Sequence, residues 1–508
     1  MKAKSIMSLL GTLLLFFGFS FLIPIITGAY FWYRDGGGGL GLSIKSFSIA
    51  ISPFLIPFSI TGILGVFLQV LASDSDEPTN KEAFFTVGVG WFIIVALSSL
   101  PYLLSRTIPN PFDAFFESMS GFATCGASIV RDLEILPKSI LMWRATTNWI
   151  GGLGIVALAI VVLSRIVGAG GANLYKAETS GHEIVKLRPK LRETATSLWN
   201  IYALLTFVEI VLLSITFIFR HKMPVDDAIF ESICHSFATI ATAGFGTRNA
   251  SIAAFNDPIV EIIIIIFMVL GATNFVLHYK IKQGFKPYFR DEEFRVFVLS
   301  LAIATAFISI NLWATGTYKS IGDCIRYASF NAVSLHTTTG FANADFAYWP
   351  DASRFVLFVL LFIGGCMGST AGAIKMGRII VLLKAAHREM RKALSPKAVI
   401  PMTFGKATIP NEIVNGICAF FFLYIAIFLG STVLMLLFGG IKDGIFVAAS
   451  AVATTMGGVG PGFGSIGPMA NYADLTNAGK FILSIGMWIG RLEIYAPLML
   501  FLPSTYRR

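Results

Sequence analysis

The sequence predicts an all-α polytopic membrane protein: two N-terminal transmembrane helices, then four fused repeats of long helix, short re-entrant segment and long helix. Three observations lead there. Of 508 residues, 55% are hydrophobic and only 13% are charged, where a soluble domain carries about 25% charged residues. The chain offers many apolar runs that approach the roughly 20 residues a membrane span needs. A Thr-x-Gly tripeptide recurs in one fixed context in the later part of the chain.

The apolar runs fall near 6–33, 46–72, 83–104, 140–166, 197–220, 256–279, 294–315, 354–386, 411–438 and 478–502. They predict ten spans. The first is too long for a signal-peptide core and shows no small-residue cleavage site, so it reads as a retained helix. Four shorter pieces, near 111–123, 226–241, 322–337 and 442–454, are too short to span and read as re-entrant segments. The basic loops at 176–194, 278–295 and 384–397 then share one side with Lys2, Lys4, Arg507 and Arg508. By the positive-inside rule that side is the cytoplasm, with both termini on it. The excess of 39 Lys and Arg over 29 acids is therefore a topology signal and not a sign of nucleic acid. From residue 83 the order span, short piece, polar turn, span occurs four times. The implied units are 1–75 for the two extra helices, then 76–170, 171–282, 283–388 and 389–508 for the four repeats.

Each short piece ends in Thr-x-Gly: TCGA (124–127), TAGF (242–245), TTGF (338–341) and TMGG (455–458). The tripeptide alone is weak. It also occurs at 86–88, 179–181, 370–372 and 403–405, where no re-entrant piece precedes it. Context carries the inference. Non-helical backbone at membrane depth is tolerated only where protein buries it or where it lines a wet cavity. Four such stretches around an axis present rings of carbonyl oxygens that replace the hydration shell of a monovalent cation. Glycine permits the backbone angles this needs. The preceding short helix aims the negative end of its dipole at the axis. The alternative reading, glycine-rich turns that merely pack helices, explains one such stretch better than four in one context. The candidate filter is Thr124, Cys125, Gly126, Ala127, Thr242, Ala243, Gly244, Phe245, Thr338, Thr339, Gly340, Phe341, Thr455, Met456, Gly457 and Gly458. Its first two positions in each repeat are the expected K+ ligands.

With these pieces in place the sequence resembles the Trk/Ktr/HKT superfamily of potassium transporters, over nearly the whole chain. The likeness rests on SGFATCGAS (120–128), WRATTNWIGGLGI (143–155), AETSGHEIVKLRPKLRETA (177–195), GATNFVLHYK (271–280), GGCMGSTAGAIK (364–375), TTMGGVGPG (454–462) and GRLEIYAPL (490–498). The two extra helices are similar to the bacterial Trk branch. The resemblance implies a K+ channel-like pseudo-fourfold assembly of helix–pore-loop–helix repeats in the bacterial inner membrane. It also implies a homodimer that contacts membrane lipid and works with a cytosolic ring of nucleotide-binding regulatory proteins. No Rossmann or Walker motif is present, so no organic cofactor is expected on this chain, and NAD or ATP dependence falls to that ring. Three departures stand out: Cys125 where Thr is common, Ala373 where Gly is usual, and Gly458 where Asn is usual.

Other features admit plainer readings as well. Gly364, Gly365, Gly368, Ser369, Thr370, Gly372 and Lys375 interrupt an apolar run. They predict either a plain kink or, by resemblance, a gating loop under the filter in which Lys375 opposes a passing cation. Arg491 lies inside an apolar run, and intramembrane charge is a functional hypothesis by default. It completes the expected gate; the alternative is a structural ion pair. Glu209 and Glu261 also lie in apolar runs. They support the competing reading, a symporter coupled to H+ or Na+, or simple interhelical bonds. Asp113, Glu117, Asp227, Glu231, Asp323 and Asp443 are expected at the outer mouth or as helix caps. The six histidines and five cysteines form no metal or disulfide pattern, and no clustered catalytic groups point to an enzyme.

Overall fold

The computed structural model describes residues 2–37, 44–73, 79–158, 187–405 and 407–503. The basic loop at 176–194 lies largely outside these residues, as do the end of the 140–166 run and Arg507 and Arg508. The described chain is almost wholly helical. Six stretches are long and apolar enough to cross a membrane: Ala3–Asp35, Ile51–Leu71, Lys81–Leu104, Thr196–Phe219, Glu292–Ala314 and Asn411–Phe438.

The first two stretches belong to α1 (Ala3–Gly18), α2 (Leu22–Trp32) and α3 (Ile44–Leu71). They pack on the first repeat through aromatic rings. Phe21 stacks on Trp143 at 4.5 Å, and Phe17 and Phe54 meet the same indole edge-on or tilted. Such ring pairs give association a fixed geometry.

Beyond residue 79 one order of elements occurs four times. The first group is α4 (Asn80–Leu104), the short α5 (Pro111–Phe122) and α6 (Lys138–Leu158). The second is α7 (Leu187–Phe219), the short α8 (Val225–Ile240) and α9 (Pro258–Gly271). The third is α10 (Glu292–Ala314), the short α11 (Ile321–His336), then α12 (Asp351–Leu360) and α13 (Met376–Leu394). The fourth is α14 (Asn411–Phe438), the short α15 (Ile445–Gly457) and α16 (Asn477–Arg491), trailed by α17 (Tyr495–Met499).

Two of the short helices, α5 and α11, start at side-chain caps. Asn110 accepts from Phe112 N ahead of Pro111, and Ser320 accepts from Gly322 N. All four short helices stop because the next residues leave helical space. Thr124, Thr242 and Thr338 have φ of 49°, 49° and 58°, and Gly458 has φ of 68°. A β-branched residue is strained there.

The interruption expected in the 354–386 run is present, and the expectation that the other spans are continuous needs correction in two places. Three of the runs are broken by backbone turns: 256–279 after Gly271, 354–386 between Leu360 and Met376, and 478–502 after Arg491. Each break falls beside the end of a short helix: Gly271 lies against Ile240 O, Gly372 against Gly457 O and Gly490 against Met456 O.

Candidate functional site

Extended segments follow the four short helices, and their hydrogen bonds fix their equivalence. Cys125 N donates to Ser120 O, Ala243 N to Ala238 O, Thr339 N to Ser334 O and Val459 N to Thr454 O, each at 2.8–2.9 Å and each across five residues. One residue earlier, Thr124, Thr242, Thr338 and Gly458 donate to Gly121, Thr239, Leu335 and Thr455. Two residues later, Gly126, Gly244, Gly340 and Gly460 have φ of 81°, 77°, 83° and 103°.

The fourth segment therefore starts at Gly458 and not at Thr455. Thr455, Met456 and Gly457 are the last turn of α15, and the Thr455 hydroxyl donates to Ala451 O at 2.7 Å. The expected set at 455–458 is three residues too early. The equivalent residues are Gly458, Val459, Gly460 and Pro461. Only Thr124, Thr242 and Thr338 carry a hydroxyl at the base, and Gly458 leaves that corner bare.

The four segments close into a ring. A side chain on Gly126 would meet the carbonyl oxygen of Ala243, and one on Gly244 that of Thr339. One on Gly340 would meet that of Val459, and one on Gly460 that of Cys125. All four approaches are under 3.0 Å, closer than real Cβ atoms stand. Each glycine is required by the next segment's backbone as well as by its own φ. A cavity of about 110 Å³ opens on the ring, bordered by all four glycines.

The break between α12 and α13 sits against the base of this ring. The loop is pinned at its neck, where Gly364 N donates to Ile374 O at 2.9 Å and Ile374 N to Phe362 O at 3.1 Å. Its middle docks on the end of α9: Cys366 N donates to Ala272 O at 2.8 Å and Thr370 N to Gly271 O at 3.2 Å. The Thr370 hydroxyl donates to Ile240 O at 2.9 Å, and Gly372 N donates to the Thr338 hydroxyl at 2.7 Å. Glu293 accepts from Met367 N and Gly377 N, both at 2.7 Å, and so ties the two shoulders of the loop. Gly365 and Gly372 fit because a Cβ would strike Ala272 O and Gly457 O. Gly368 has φ of 71°, and Ser369 donates to Cys366 O at 2.5 Å.

Two buried cations attend the loop. Arg491 donates from Nη1 to Thr370 O at 2.9 Å and from Nη2 to Gly151 O at 3.1 Å. The Lys375 ammonium donates to the loop's own Ser369 and Ala371 carbonyls. Glu493 pairs with Arg378 at 2.5 Å rather than with Arg491.

A family profile described as TrkH, cation transport protein, matches residues 51–506. The chain belongs to the TrkH family. The Trk system potassium uptake protein TrkH of Escherichia coli K12 is 35% identical over 512 residues, covering both chains entirely. That of Halomonas elongata is 34% identical over 515 residues, again over both whole chains. The crystal structure of the potassium transporter TrkH from Vibrio parahaemolyticus superposes with a TM-score of 0.84 at 31% identity, with full coverage of both. As a member of the TrkH family this chain is a multi-pass membrane transport protein and not an enzyme.

Four of the six acids expected at the mouth or as helix caps of this TrkH-family chain are held in ion pairs. Glu117 is fully buried and paired with Arg144, and Glu231 is paired with Arg248. Asp113 holds Lys480 at 2.6 Å, and Asp227 holds Lys138 and Arg34. Among the expected set Asp443 is exposed and accepts from Ser465 N. Glu261 is engaged by Arg326 at 2.6 Å and by Asn343 at 2.9 Å. Val459, Gly460 and Pro461 lie outside the set expected from sequence. Their signal was present, since Val-Gly repeats the x-Gly of the other segments once Gly458 is allowed in place of threonine.

Proposed function

We propose that this chain takes up potassium ions across the bacterial inner membrane through a filter made of backbone carbonyl oxygens. The four repeats near 76–170, 171–282, 283–388 and 389–508 would surround one pore. Carbonyl groups of Cys125, Ala243, Thr339 and Val459 form its central ring, and the hydroxyls of Thr124, Thr242 and Thr338 lie beneath. The closed cycle of glycine and carbonyl is the observation that carries this reading. In it one carbonyl oxygen of each segment lies against the backbone of the next, which suits a ring of oxygens that replaces a cation's hydration shell. K+ is the cargo, and the names of the relatives support that choice.

The loop at 361–375 is the gate in this reading. It lies directly below the ring and is bonded to Thr338, and Arg491 holds it from the fourth repeat. A loop stitched by backbone bonds to its neighbours moves only if those bonds break together. A cytosolic nucleotide-binding ring acting on the basic loops would supply that force. Both termini are assigned to the cytoplasm, and a homodimer embedded in lipid is the proposed assembly.

The coupled-symporter reading keeps one candidate. Glu261 is neutralised by Arg326, which removes it as a free carboxylate. Glu209 is fully buried on α7, and among the described residues neither of its oxygens makes a well-formed hydrogen bond. Crystals grown with Rb+ in place of K+ test the preferred reading. Anomalous peaks on the axis between the four carbonyls support it, and peaks only at carboxylates overturn it.

A further inference from the structure

Behind the ring lies an ion pair to which the pathway just described gives no role, although Arg144 borders the cavity on the ring. Glu117 on α5 and Arg144 on α6 are 0% and 1% exposed at the side chain. Arg144 Nε donates to Glu117 Oε1 at 2.8 Å. The same carboxylate accepts from the Ser128 hydroxyl at 2.9 Å and from Ile129 N at 2.9 Å. Ser128 and Ile129 come directly after the first segment of the ring. Arg144 then reaches the second segment. Its Nη1 donates to Gly246 O at 2.9 Å, and its guanidinium lies 4.1 Å over the Phe245 ring. Its Nη2 returns to the Ser128 hydroxyl at 3.1 Å.

The chain of contacts extends to the fourth segment. Tyr472 N donates to Ser128 O at 2.9 Å, and the Tyr472 hydroxyl donates to Gly460 O at 2.7 Å. The first segment is thus tied to both of its neighbours in the ring through Ser128. The other short helices also use local devices. Glu231 holds Thr247 and Arg248 of its own repeat, Ser334 donates to Phe341 O, and Thr454 donates to Pro461 O. The Glu117–Arg144 pair links the first segment to the second, as Glu261, held by Arg326 and Asn343, links the second group to the third.

A buried ion pair is a poor way to gain stability, because desolvation offsets the attraction. It is a good way to fix position, since the guanidinium fork has a rigid geometry. We propose that Arg144 and Glu117 are positioning residues for ion selectivity. They set the spacing between the first and second filter segments, and through Ser128 and Tyr472 that of the fourth. The proposal rests on the filter reading above. A carbonyl ring held loosely adapts to a smaller cation, so loss of the brace admits Na+.

The test is the ratio of K+ to Na+ flux through the purified full-length protein in liposomes, which a merely structural role does not move. Glu117→Gln keeps the shape and removes the charge; it is expected to lower the ratio about ten-fold, the scale of one lost charge-assisted hydrogen bond. Ser128→Ala removes only the shared hydroxyl and serves if Glu117→Gln fails to assemble; it is expected to lower the ratio in the same direction. Asp113→Asn breaks an ion pair away from the ring and is expected to leave the ratio alone. Gly340→Ser is the control on the filter itself. If Gly340→Ser lowers the ratio while Glu117→Gln, or Ser128→Ala in its place, does not, the brace is refuted and the filter stands. If Gly340→Ser also changes nothing, the filter reading fails and the brace fails with it.

Discussion

Arg491 reaches across the molecule from the fourth repeat to donate a 2.9 Å hydrogen bond to the carbonyl oxygen of Thr370, in the loop of the third. Its second arm holds Gly151 O of the first repeat. One side chain therefore couples three groups of helices at the level of the loop, through two carbonyl oxygens. Replacement by Gln removes the charge and at least one of these bonds. Arg491→Gln is expected to raise K+ flux of the isolated protein several-fold, because a hydrogen bond to a charged group contributes about 1.5–3 kcal/mol to holding the loop. Tracer flux in liposomes without any partner protein measures this. A fall in flux would assign Arg491 to folding instead.

The register of the fourth segment has its own test. Gly460 has φ of 103°, and a side chain there would strike Cys125 O. Gly460→Ser is expected to abolish K+ preference or flux. Thr455→Val removes a hydroxyl that only caps a helical turn, and it is expected to leave K+ over Na+ preference within about two-fold, the scale of a weak local bond. The reverse pattern would restore 455–458 as the fourth segment.

Arg326 is the charge partner of buried Glu261. Arg326→Leu leaves a buried carboxylate unpaired, which costs about 3–5 kcal/mol. Thermal unfolding of the detergent-solubilised variant is expected to fall well below that of the parent. Glu261→Gln with Arg326→Leu together should recover most of the loss. No recovery in the double variant would mean that the two residues act separately.

Glu209 separates the channel-like reading from the coupled one. Its carboxylate is buried and, among the described residues, makes no well-formed hydrogen bond. If flux follows the K+ gradient alone, Glu209→Gln is expected to pass K+ at the parental rate, in liposomes with and without an imposed proton gradient. Dependence on that gradient in the parent, lost in the variant, would establish coupling.

Much of this fold is legible in the sequence because membrane chemistry leaves little freedom. A segment of apolar residues without a partner for its backbone must be helical, so the six long helices and four short ones fall close to where hydropathy puts them. The first three ring segments are legible for a second reason: a β-branched threonine and a glycine two apart mark a backbone forced to positive φ. The fourth is displaced by three residues from its expected place because Gly458 does the work of the threonine, while Thr455 and Gly457 reproduce the same letters inside a helix. The breaks after Gly271 and Arg491 are not legible, since apolar residues continue through them and only tertiary contacts end the helix. The roles of Glu117 and Glu231 are hidden for a similar reason. Their partners Arg144 and Arg248 lie in other segments of the chain, and nothing local distinguishes a buried acid from one at a surface.

The most direct measurement is paired K+ and Na+ flux through purified protein in liposomes, parent against Gly340→Ser. Gly340 has φ of 83° and faces Val459 O, so a side chain there must displace two segments of the ring. A parent that prefers K+ and a variant that has lost the preference is the predicted result. An unchanged preference and rate in Gly340→Ser would contradict the account at its centre, since the ring of glycines and carbonyls would then be packing and not a filter.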